Sequence, residues 1–331
     1  MRAAVLDNVG GPLHLRDVED PKPGRGEVVV RIAACGVCFT DLKAIDGLAT
    51  TFPLIPGHEP VGVVAEVGSD VLTVRVGDRV CVHSFFSCGQ CSACADNEEE
   101  ACVLGIAALA GVSRDGGYAE YMVVPAGHVV PLPDELTFAE AAPLLCAGLT
   151  TFAAFRNAGL RAGQRAAVIG VGGLGHLALS IGTALGADMY AITTSPDKAV
   201  DARARGAVVA DSVDVVGARL ADEGGAHVVI NTVDALGSLE RIIPAMAKQG
   251  SIVLAAGAGE TLPVTPAQLG QQQLKLIGSF FGSTQDVRDL LTLCVEHRIR
   301  PQVERYAFDM VGDVHQRLRG NKIRYRAVLE F

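Results

Sequence analysis

The chain has 331 residues, 49% of them hydrophobic and 20% charged. That is length for two domains and composition for a large buried core, which excludes an intrinsically disordered chain. Its 28 basic residues against 37 acidic ones give a net charge of −9, which argues against nucleic acid or an anionic membrane as the main partner.

The first residues, Met1-Arg2-Ala3-Ala4-Val5-Leu6-Asp7, carry no signal-peptide apolar run, so the expected location is cytoplasmic. From there to about residue 147 the chain consists of short alternating runs broken by Gly and Pro. Glu27-Val28-Val29-Val30-Arg31-Ile32 and Gly62-Val63-Val64-Ala65-Glu66-Val67 are two of them, and Pro21-Lys22-Pro23-Gly24 and Pro56-Gly57 are turn signals. This pattern predicts a β-rich barrel or sandwich. From about 148 it changes to alternating strands and helices. Apolar runs at 166–170, 189–193, 226–231 and 250–256 are interleaved with helical patterns at 173–186, 197–205, 212–223 and 236–248. Such alternation predicts a parallel sheet with helices on both faces. After Phe280-Phe281-Gly282 a helix over 285–297 and short mixed segments remain. They are too few for a third domain and are expected to return to the first. The organisation read from the chain is therefore 1–147, 148–281 and 282–331.

Ala166–Ala187 is an uncharged stretch of 22 residues, long enough to span a bilayer. Its six glycines, with Gly-Val-Gly-Gly-Leu-Gly at the centre, instead predict a strand, a tight turn and a buried helix.

Nine cysteines in a chain without a secretory segment read as metal ligands and core residues rather than a disulfide framework. Cys88, Cys91, Cys94 and Cys102 place four thiols within 15 residues. Four thiolates complete the tetrahedral shell of Zn²⁺ and leave no position for water, so this site is expected to be structural. Asn97, in the last gap, suits the left-handed turn that such a tight loop needs. A zinc-ribbon contact to nucleic acid is disfavoured by Asp96, Glu98, Glu99 and Glu100, which repel phosphate. Cys38, His58 and Cys146 are scattered candidates. Two thiolates and an imidazole leave a fourth zinc position open, as catalysis requires, but spacing alone leaves each open to being a core residue. Cys35, Cys81 and Cys294 are expected in the core.

Gly170-Val171-Gly172-Gly173-Leu174-Gly175 follows a predicted strand and opens a predicted helix. In that context the glycines let the backbone approach a pyrophosphate, whose charge meets the helix N-terminus. The next strand ends in Thr193-Thr194-Ser195-Pro196-Asp197-Lys198, with Thr193 where an NAD enzyme carries an acid. Hydroxyls and Lys198 suit the 2′-phosphate of NADP. The alternative is that Thr193 merely ends the strand and Asp197 serves NAD.

Five motifs then occur in order: Cys38-Phe-Thr-Asp-Leu-Lys43, Pro56-Gly-His-Glu-Pro-Val-Gly62, the Cys88–Cys102 ladder, Leu145-Cys146-Ala-Gly148 and Gly170–Gly175. Together they resemble the zinc-dependent alcohol dehydrogenases of the medium-chain dehydrogenase/reductase superfamily, and the resemblance covers nearly the whole chain. The strand end at 193–198 is similar to their NADP-dependent, cinnamyl-alcohol-dehydrogenase-like branch. The resemblance implies an α/β protein with a GroES-like catalytic domain, a Rossmann cofactor domain and an active site in the cleft between them. It implies two zincs per chain, the catalytic one held by Cys38, His58 and Cys146. The implied reaction is reversible hydride transfer between an alcohol and NADP(H), zinc polarising the substrate oxygen. No nucleic acid or membrane partner is implied, and relatives form homodimers or homotetramers; Lys275–Gly282 could supply a pairing edge.

Carried over by position, Asp41 would orient a zinc ligand, Thr40 would take the hydroxyl proton, and Glu59 could approach the metal during ligand exchange. The alternative for Glu59 is a buried carboxylate paired with Arg326, a residue that also stands among the cofactor contacts. Gly170, Gly172, Gly173, Leu174, Gly175, Thr193, Thr194, Ser195 and Lys198 would hold the dinucleotide, and Thr150 with backbone around Val233 and Ala256 would meet the nicotinamide. Two positions depart from the family pattern: Phe39 replaces a His or Arg, and Lys43 replaces the final relay His. A lysine relay needs burial or neighbouring positive charge. Phe39, His83, Ser84, Phe85, Phe86, Phe280 and Phe281 are expected around an apolar substrate, aromatic or medium-chain, although core packing explains any single Phe. His83 and His176 read more readily as packing histidines. Rival readings are reduction of a conjugated double bond or iminium ion on the same fold, and a non-catalytic cofactor-binding protein.

Overall fold

The computed structural model describes residues 1–257, 261–262 and 264–331, and the chain forms two compact units. The first comprises Met1–Cys146, Gly282–Val295 and Arg300–Phe331; the second comprises Ala147–Phe281 and Glu296–Ile299.

Strands β1 (Arg2–Leu6), β2 (Leu13–Asp17), β3 (Glu27–Val37), β4 (Glu59–Val67), β5 (Arg79–Val82), β6 (Tyr121–Pro125) and β7 (Val129–Pro131) belong to the first unit. The second unit holds β8 (Arg165–Ile169), β9 (Asp188–Ile192), β10 (Ala207–Asp211), β11 (Ala226–Asn231), β12 (Met246–Leu254) and β13 (Lys275–Gly278). The returning chain adds β14 (Val303–Ala307) and β15 (Arg326–Glu330) to the first.

In the first unit the main sheet runs β14-β15-β3-β4-β5-β7, β6 also pairs with β3, and β1 and β2 form a separate antiparallel pair. The long strand β3 organises it. Val28, Val30 and Ile32 are buried on one face beside Val64, Val80 and Met122, while Arg31 is exposed. Val29, Ala34, Cys35 and Val37 are buried as well, so β3 is covered along most of its length and Arg31 is its one exposed residue. The returning segment supplies β15, antiparallel to β3 from Ala327↔Val37 to Glu330↔Ala34, and Phe308, Val311, Val314 and Leu318 join the same core.

All strand pairs of the second unit are parallel, in the order β10-β9-β8-β11-β12-β13. Counted within the unit this is third, second, first, fourth, fifth, sixth, the doubly wound dinucleotide-binding order, with its switch point between β8 and β11. The uncharged stretch 166–187 is the strand β8, a turn, and the buried helix Gly175–Ala184. Among the described residues no single helix is long and apolar enough to cross a membrane.

Two sequence expectations need correction. Strand β10 was not anticipated, because its apolar run, Ala207-Val208-Val209-Ala210, is only four residues long and sits at the sheet edge with Val208 exposed. The helix expected over 236–248 spans only Gly237–Ile242. Pro244 sits in a following 3₁₀ turn, and Met246–Lys248 already belong to β12; proline lacks the N–H that a continuing helix would use.

Candidate active site and metal centres

In the first unit Cys38 caps the short helix Phe39–Lys43, and Asp41 in its first turn accepts from the Cys38 amide at 2.8 Å. The other Asp41 oxygen lies 2.7 Å from His58 Nδ1, and the Tyr118 hydroxyl donates to the first at 2.9 Å. Asp41 is fully buried. It therefore fixes the orientation of His58, whose Nε2 is 3.8 Å from Glu59 Oε1. Cys146, at the end of the 3₁₀ turn Ala142–Leu145, brings its sulfur to 3.8 Å from that of Cys38. The donor atoms of Cys38, His58, Glu59 and Cys146 all lie within 4.8 Å of one another, and all four residues are buried. Gly36 makes room for this arrangement, since a Cβ there would stand 1.8 Å from Glu59 Oε2.

The electrostatics suit a cation. Burial opposes charge on His58, but the Asp41 carboxylate outweighs it and holds the imidazole well above its usual range. The contact between the two sulfurs holds Cys38 well below the usual thiol range and Cys146 well above it. Burial pushes the Glu59 carboxyl up to about 7 against the pull of Arg326, whose guanidinium it accepts from. Tetrahedral Zn²⁺ with bonds of about 2.3 Å sets its sulfur ligands roughly 3.8 Å apart. The Cys38–Cys146 separation matches that spacing, so these residues fit zinc.

The second thiol group lies nearer the surface. Cys94 Sγ is 3.9 Å from Cys88 Sγ and 3.5 Å from Cys91 Sγ, and the Cys88 amide donates to Cys102 Sγ at 3.3 Å. The four sulfurs lie within 4.8 Å of one another. Asn97 turns the loop with φ 61°. Backbone N–H groups of Val103 and Cys94 bring the Cys91 thiol down to about 6, and burial pushes Cys94 up to about 11. This group also fits zinc, with every position taken by sulfur.

In the second unit the glycine loop joins β8 to the helix Gly175–Ala184. A Cβ at Gly175 would stand 1.8 Å from the Gly170 carbonyl, whereas one at Gly172 would meet nothing within 4 Å. The first glycine contact packs the turn, and the second leaves an open cradle at the sheet's switch point. Thr232 Oγ1 donates to the Ile169 and Gly170 carbonyls and pins the turn from beneath. At the end of β9, Thr193 Oγ1 accepts from the Ser195 amide, and Ser195 caps the helix Pro196–Ala204. No acid stands at 193–195, and Asp197 is exposed.

Comparison with known proteins decides the family. Residues 24–134 match the alcohol dehydrogenase GroES-like domain, and residues 173–296 match the zinc-binding dehydrogenase domain. An alcohol dehydrogenase of Geobacillus stearothermophilus is 37% identical, the match covering 100% of this chain and 99% of that one. The chain belongs to the zinc-type medium-chain alcohol dehydrogenases. An NADP-dependent alcohol dehydrogenase C of Mycobacterium bovis is 32% identical over 96% of this chain and 95% of its own. The crystal structure of the alcohol dehydrogenase from Aeropyrum pernix superposes with TM-score 0.89 at 29% identity, covering 100% of both chains. The protein is an oxidoreductase, an NAD(P)-dependent alcohol dehydrogenase.

Within this alcohol dehydrogenase, Thr40 is half-buried with its hydroxyl 3.8 Å from Cys38 Sγ. Lys43 stands exposed at the helix end and lacks the burial that a lysine relay needs. Arg326 is buried against Glu59, so the paired-carboxylate arrangement of Glu59 is present together with its place beside Cys38 and His58. Thr150 is buried in the helix Ala147–Ala158. The residues expected around the substrate differ in exposure. Phe85 and Phe86 are core residues, Phe86 packing on the His128 ring, and His83 is fully buried with Nε2 2.8 Å from the Gly282 carbonyl. Of the phenylalanines named, Phe39 and Phe280 remain half-exposed. His176 turns back on the glycine loop that precedes its helix, Nδ1 lying 3.0 Å from the Gly172 carbonyl. Cys35, Cys81 and Cys294 are buried.

Three site residues gave no sequence signal. Tyr118 and His315 extend the Asp41 network, the Tyr118 hydroxyl lying 3.3 Å from His315 Nε2. Asn231, buried at the end of β11, donates to the Val233 carbonyl at 2.6 Å and to the Ala256 carbonyl at 3.2 Å. It thereby ties together the two loops expected to meet the nicotinamide.

Proposed function

We propose that the protein is an NADP-preferring, two-zinc alcohol dehydrogenase and aldehyde reductase acting on apolar alcohols. The observation that carries this reading is the buried Cys38, His58 and Cys146 group with its sulfurs at zinc-ligand spacing. Bound there, Zn²⁺ supplies Lewis acidity toward the substrate oxygen, and the nicotinamide supplies the hydride acceptor or donor.

The chain's own residues do the rest. Asp41 holds the His58 ring in one tautomer, Nδ1–H toward the carboxylate, leaving Nε2 as the metal ligand. Thr40 takes the substrate hydroxyl proton and passes it outward, with Lys43 at the exposed end of the same helix. Glu59, kept near neutrality by burial and anchored by Arg326, serves as a reserve ligand. Cys88, Cys91, Cys94 and Cys102 hold the structural zinc. Gly170, Gly172, Gly173, Leu174 and Gly175 cradle the pyrophosphate, Asn231 positions the Val233 and Ala256 backbone beside the nicotinamide, and Thr150 contacts it. Thr193, Thr194, Ser195 and Lys198 receive the 2′-phosphate, a reading supported by the absence of an acid at 193–195. On this reading residues 1–147 with 282–331 carry the alcohol chemistry and 148–281 the cofactor. The enzyme works in the cytoplasm, consistent with nine free cysteines. It assembles as a homodimer or homotetramer through the exposed edge strand β13.

The test is turnover of a panel of aromatic and aliphatic aldehydes with NADPH and with NADH, with zinc counted on the same sample. Aldehyde-dependent NADPH oxidation with two zincs per chain is the expected result. Tight cofactor binding with two zincs and no aldehyde turnover would overturn the carbonyl chemistry and favour the conjugated-bond or iminium reading. Thr193→Asp is expected to shift the NADPH-to-NADH ratio of kcat/KM toward NADH by at least about tenfold, since a carboxylate favours a 2′-hydroxyl and repels a 2′-phosphate. An unchanged ratio would remove the strand end from cofactor selection.

A further inference from the structure

A third convergence of donor atoms lies in the first unit, outside both thiol groups: His83, Glu99 and His128 present ligand atoms within 4.8 Å of one another. His83 follows β5, His128 precedes β7, and Glu99 begins a 3₁₀ turn inside the four-cysteine loop. Both histidines are buried, and their ring planes are inclined by only 19°, with centroids 5.7 Å apart.

The hydrogen bonds orient these groups as ligands. His83 Nε2 lies 2.8 Å from the Gly282 carbonyl, which only accepts, so Nε2 carries the proton and Nδ1 presents its lone pair. Metal-ligating histidines are typically held this way, the second ring nitrogen donating to a backbone carbonyl or carboxylate. His83 Nδ1 faces His128 Nδ1 at 3.5 Å and Glu99 Oε2 at 3.8 Å. The Thr284 amide and hydroxyl both donate to that Glu99 oxygen, at 2.9 and 2.6 Å, and fix the carboxylate in place. Thr284 Oγ1 itself is 3.4 Å from His83 Nδ1. A zinc ion bonded at about 2.0–2.2 Å to nitrogen and oxygen sets its ligands roughly 3.3 Å apart. The histidine pair is within a few tenths of that spacing, and Glu99 Oε2 stands about half an ångström beyond it from His83 Nδ1.

We propose that His83, Glu99 and His128 form a third metal site, taking a divalent first-row transition ion of the zinc class with Thr284 or water completing its shell. Two imidazoles and a carboxylate are a borderline donor set that suits Zn²⁺ or Co²⁺ rather than Mg²⁺ or Ca²⁺. Burial holds both imidazoles neutral, His83 down to about 4, so protons do not compete for these lone pairs near neutrality. Because Glu99 shares its loop with Cys88–Cys102, an ion here would clamp that loop to the segment where the chain re-enters the first unit at Gly282–Thr284.

Equilibrium dialysis of the full-length protein against Co²⁺, with metal counted per chain and absorption spectra recorded, tests this site separately from the two thiol sites. Thiolate-bound Co²⁺ shows sulfur-to-metal charge transfer in the near ultraviolet, and imidazole- and carboxylate-bound Co²⁺ does not. The expected result is one further equivalent that adds visible d–d absorption without charge transfer. Its affinity should fall in both His128→Gln and Glu99→Gln by at least the roughly 10–100-fold that changes outside the ligand shell cost elsewhere. A wild-type chain that binds no Co²⁺ beyond the charge-transfer equivalents would overturn the proposal, whatever the variants do. So would a further equivalent that both variants retain at full affinity. Failure of the charge-transfer equivalents themselves would count against the two-zinc reading instead.

Discussion

Cys88, Cys91, Cys94 and Cys102 come from one stretch of 15 residues, and three of the four are half-exposed. Cys38, His58 and Cys146 come from three distant parts of the chain and are buried. The loop gathers its four sulfurs by local turns, Asn97 included, and on the proposed reading they fill a zinc shell completely. The buried group is assembled by tertiary structure: a helix cap, the start of β4 and the end of a 3₁₀ turn. It is surrounded by groups that tune it, with Asp41 on His58, Tyr118 on Asp41, and Arg326 on Glu59. The contrast teaches that ligand count and supporting shell, rather than sulfur content, separate a staple from a reactive centre.

Removing one sulfur from each group should break the comparison most sharply. Cys146→Ala is expected to lower kcat/KM by at least about 10³-fold, the value of several kcal/mol of Lewis-acid stabilisation. Its thermal midpoint should change little. Cys91→Ala should do the reverse, lowering the midpoint by roughly 5–10 °C for a loss of about 3 kcal/mol while the folded fraction keeps its kcat/KM. Steady-state kinetics and thermal unfolding on both variants check this. Equal kinetic losses in the two would erase the division of roles.

Legibility in the sequence followed the same division. The four-cysteine loop is written locally, so spacing alone pointed to a structural zinc, and Asn97 was singled out for the φ it adopts. The glycine loop was likewise legible because strand, turn and helix are contiguous. The scattered ligands were not readable from spacing, since nothing local says that residues 38, 58 and 146 converge; ordered motifs named them. Tyr118, His315 and Asn231 escaped because their roles exist only once distant segments meet. Phe85 and Phe86 are buried in the loop after β5, a placement that a phenyl ring in sequence does not reveal. Strand β10 was missed because its apolar run, Ala207–Ala210, is only four residues long and lies at a sheet edge where Val208 meets solvent.

The supporting shell offers a subtler test. Asp41→Asn keeps the size of the side chain but removes the charge behind His58. Such changes behind a metal-ligating histidine cost about 10–100-fold in metal affinity. Competition of the purified variant against a zinc chelator should therefore release the ion from the buried site at correspondingly lower chelator concentration. The four-cysteine loop, outside the Asp41 network, should keep its ion at the wild-type concentration. Release from both sites together would mean that Asp41 supports the fold of the first unit rather than the buried ligands.

The smallest expected effect distinguishes the thiols after both metals are removed. With its thiol brought down to about 6 by backbone N–H groups and half-exposed, Cys91 should be largely thiolate at pH 7. It should be alkylated first. Cys94, pushed up to about 11, should follow slowly although it lies in the same loop. Cys81 and Cys294, buried and pushed up to about 12, should resist until the chain unfolds. The sign with pH is fixed by the same values: lowering pH from 7 to 5 protonates Cys91 and should slow its labelling about tenfold, because only the thiolate reacts. Cys38 tests the comparison most finely. Cys146 and His58 hold its thiol well below the usual range, so a large fraction is thiolate, yet it is buried. If burial governs reactivity, Cys38 labels far behind Cys91 despite its charge; if Cys38 keeps pace in peptide-resolved mass spectrometry, the buried group opens to solvent once its ion is gone, and the metal is then part of what closes the site.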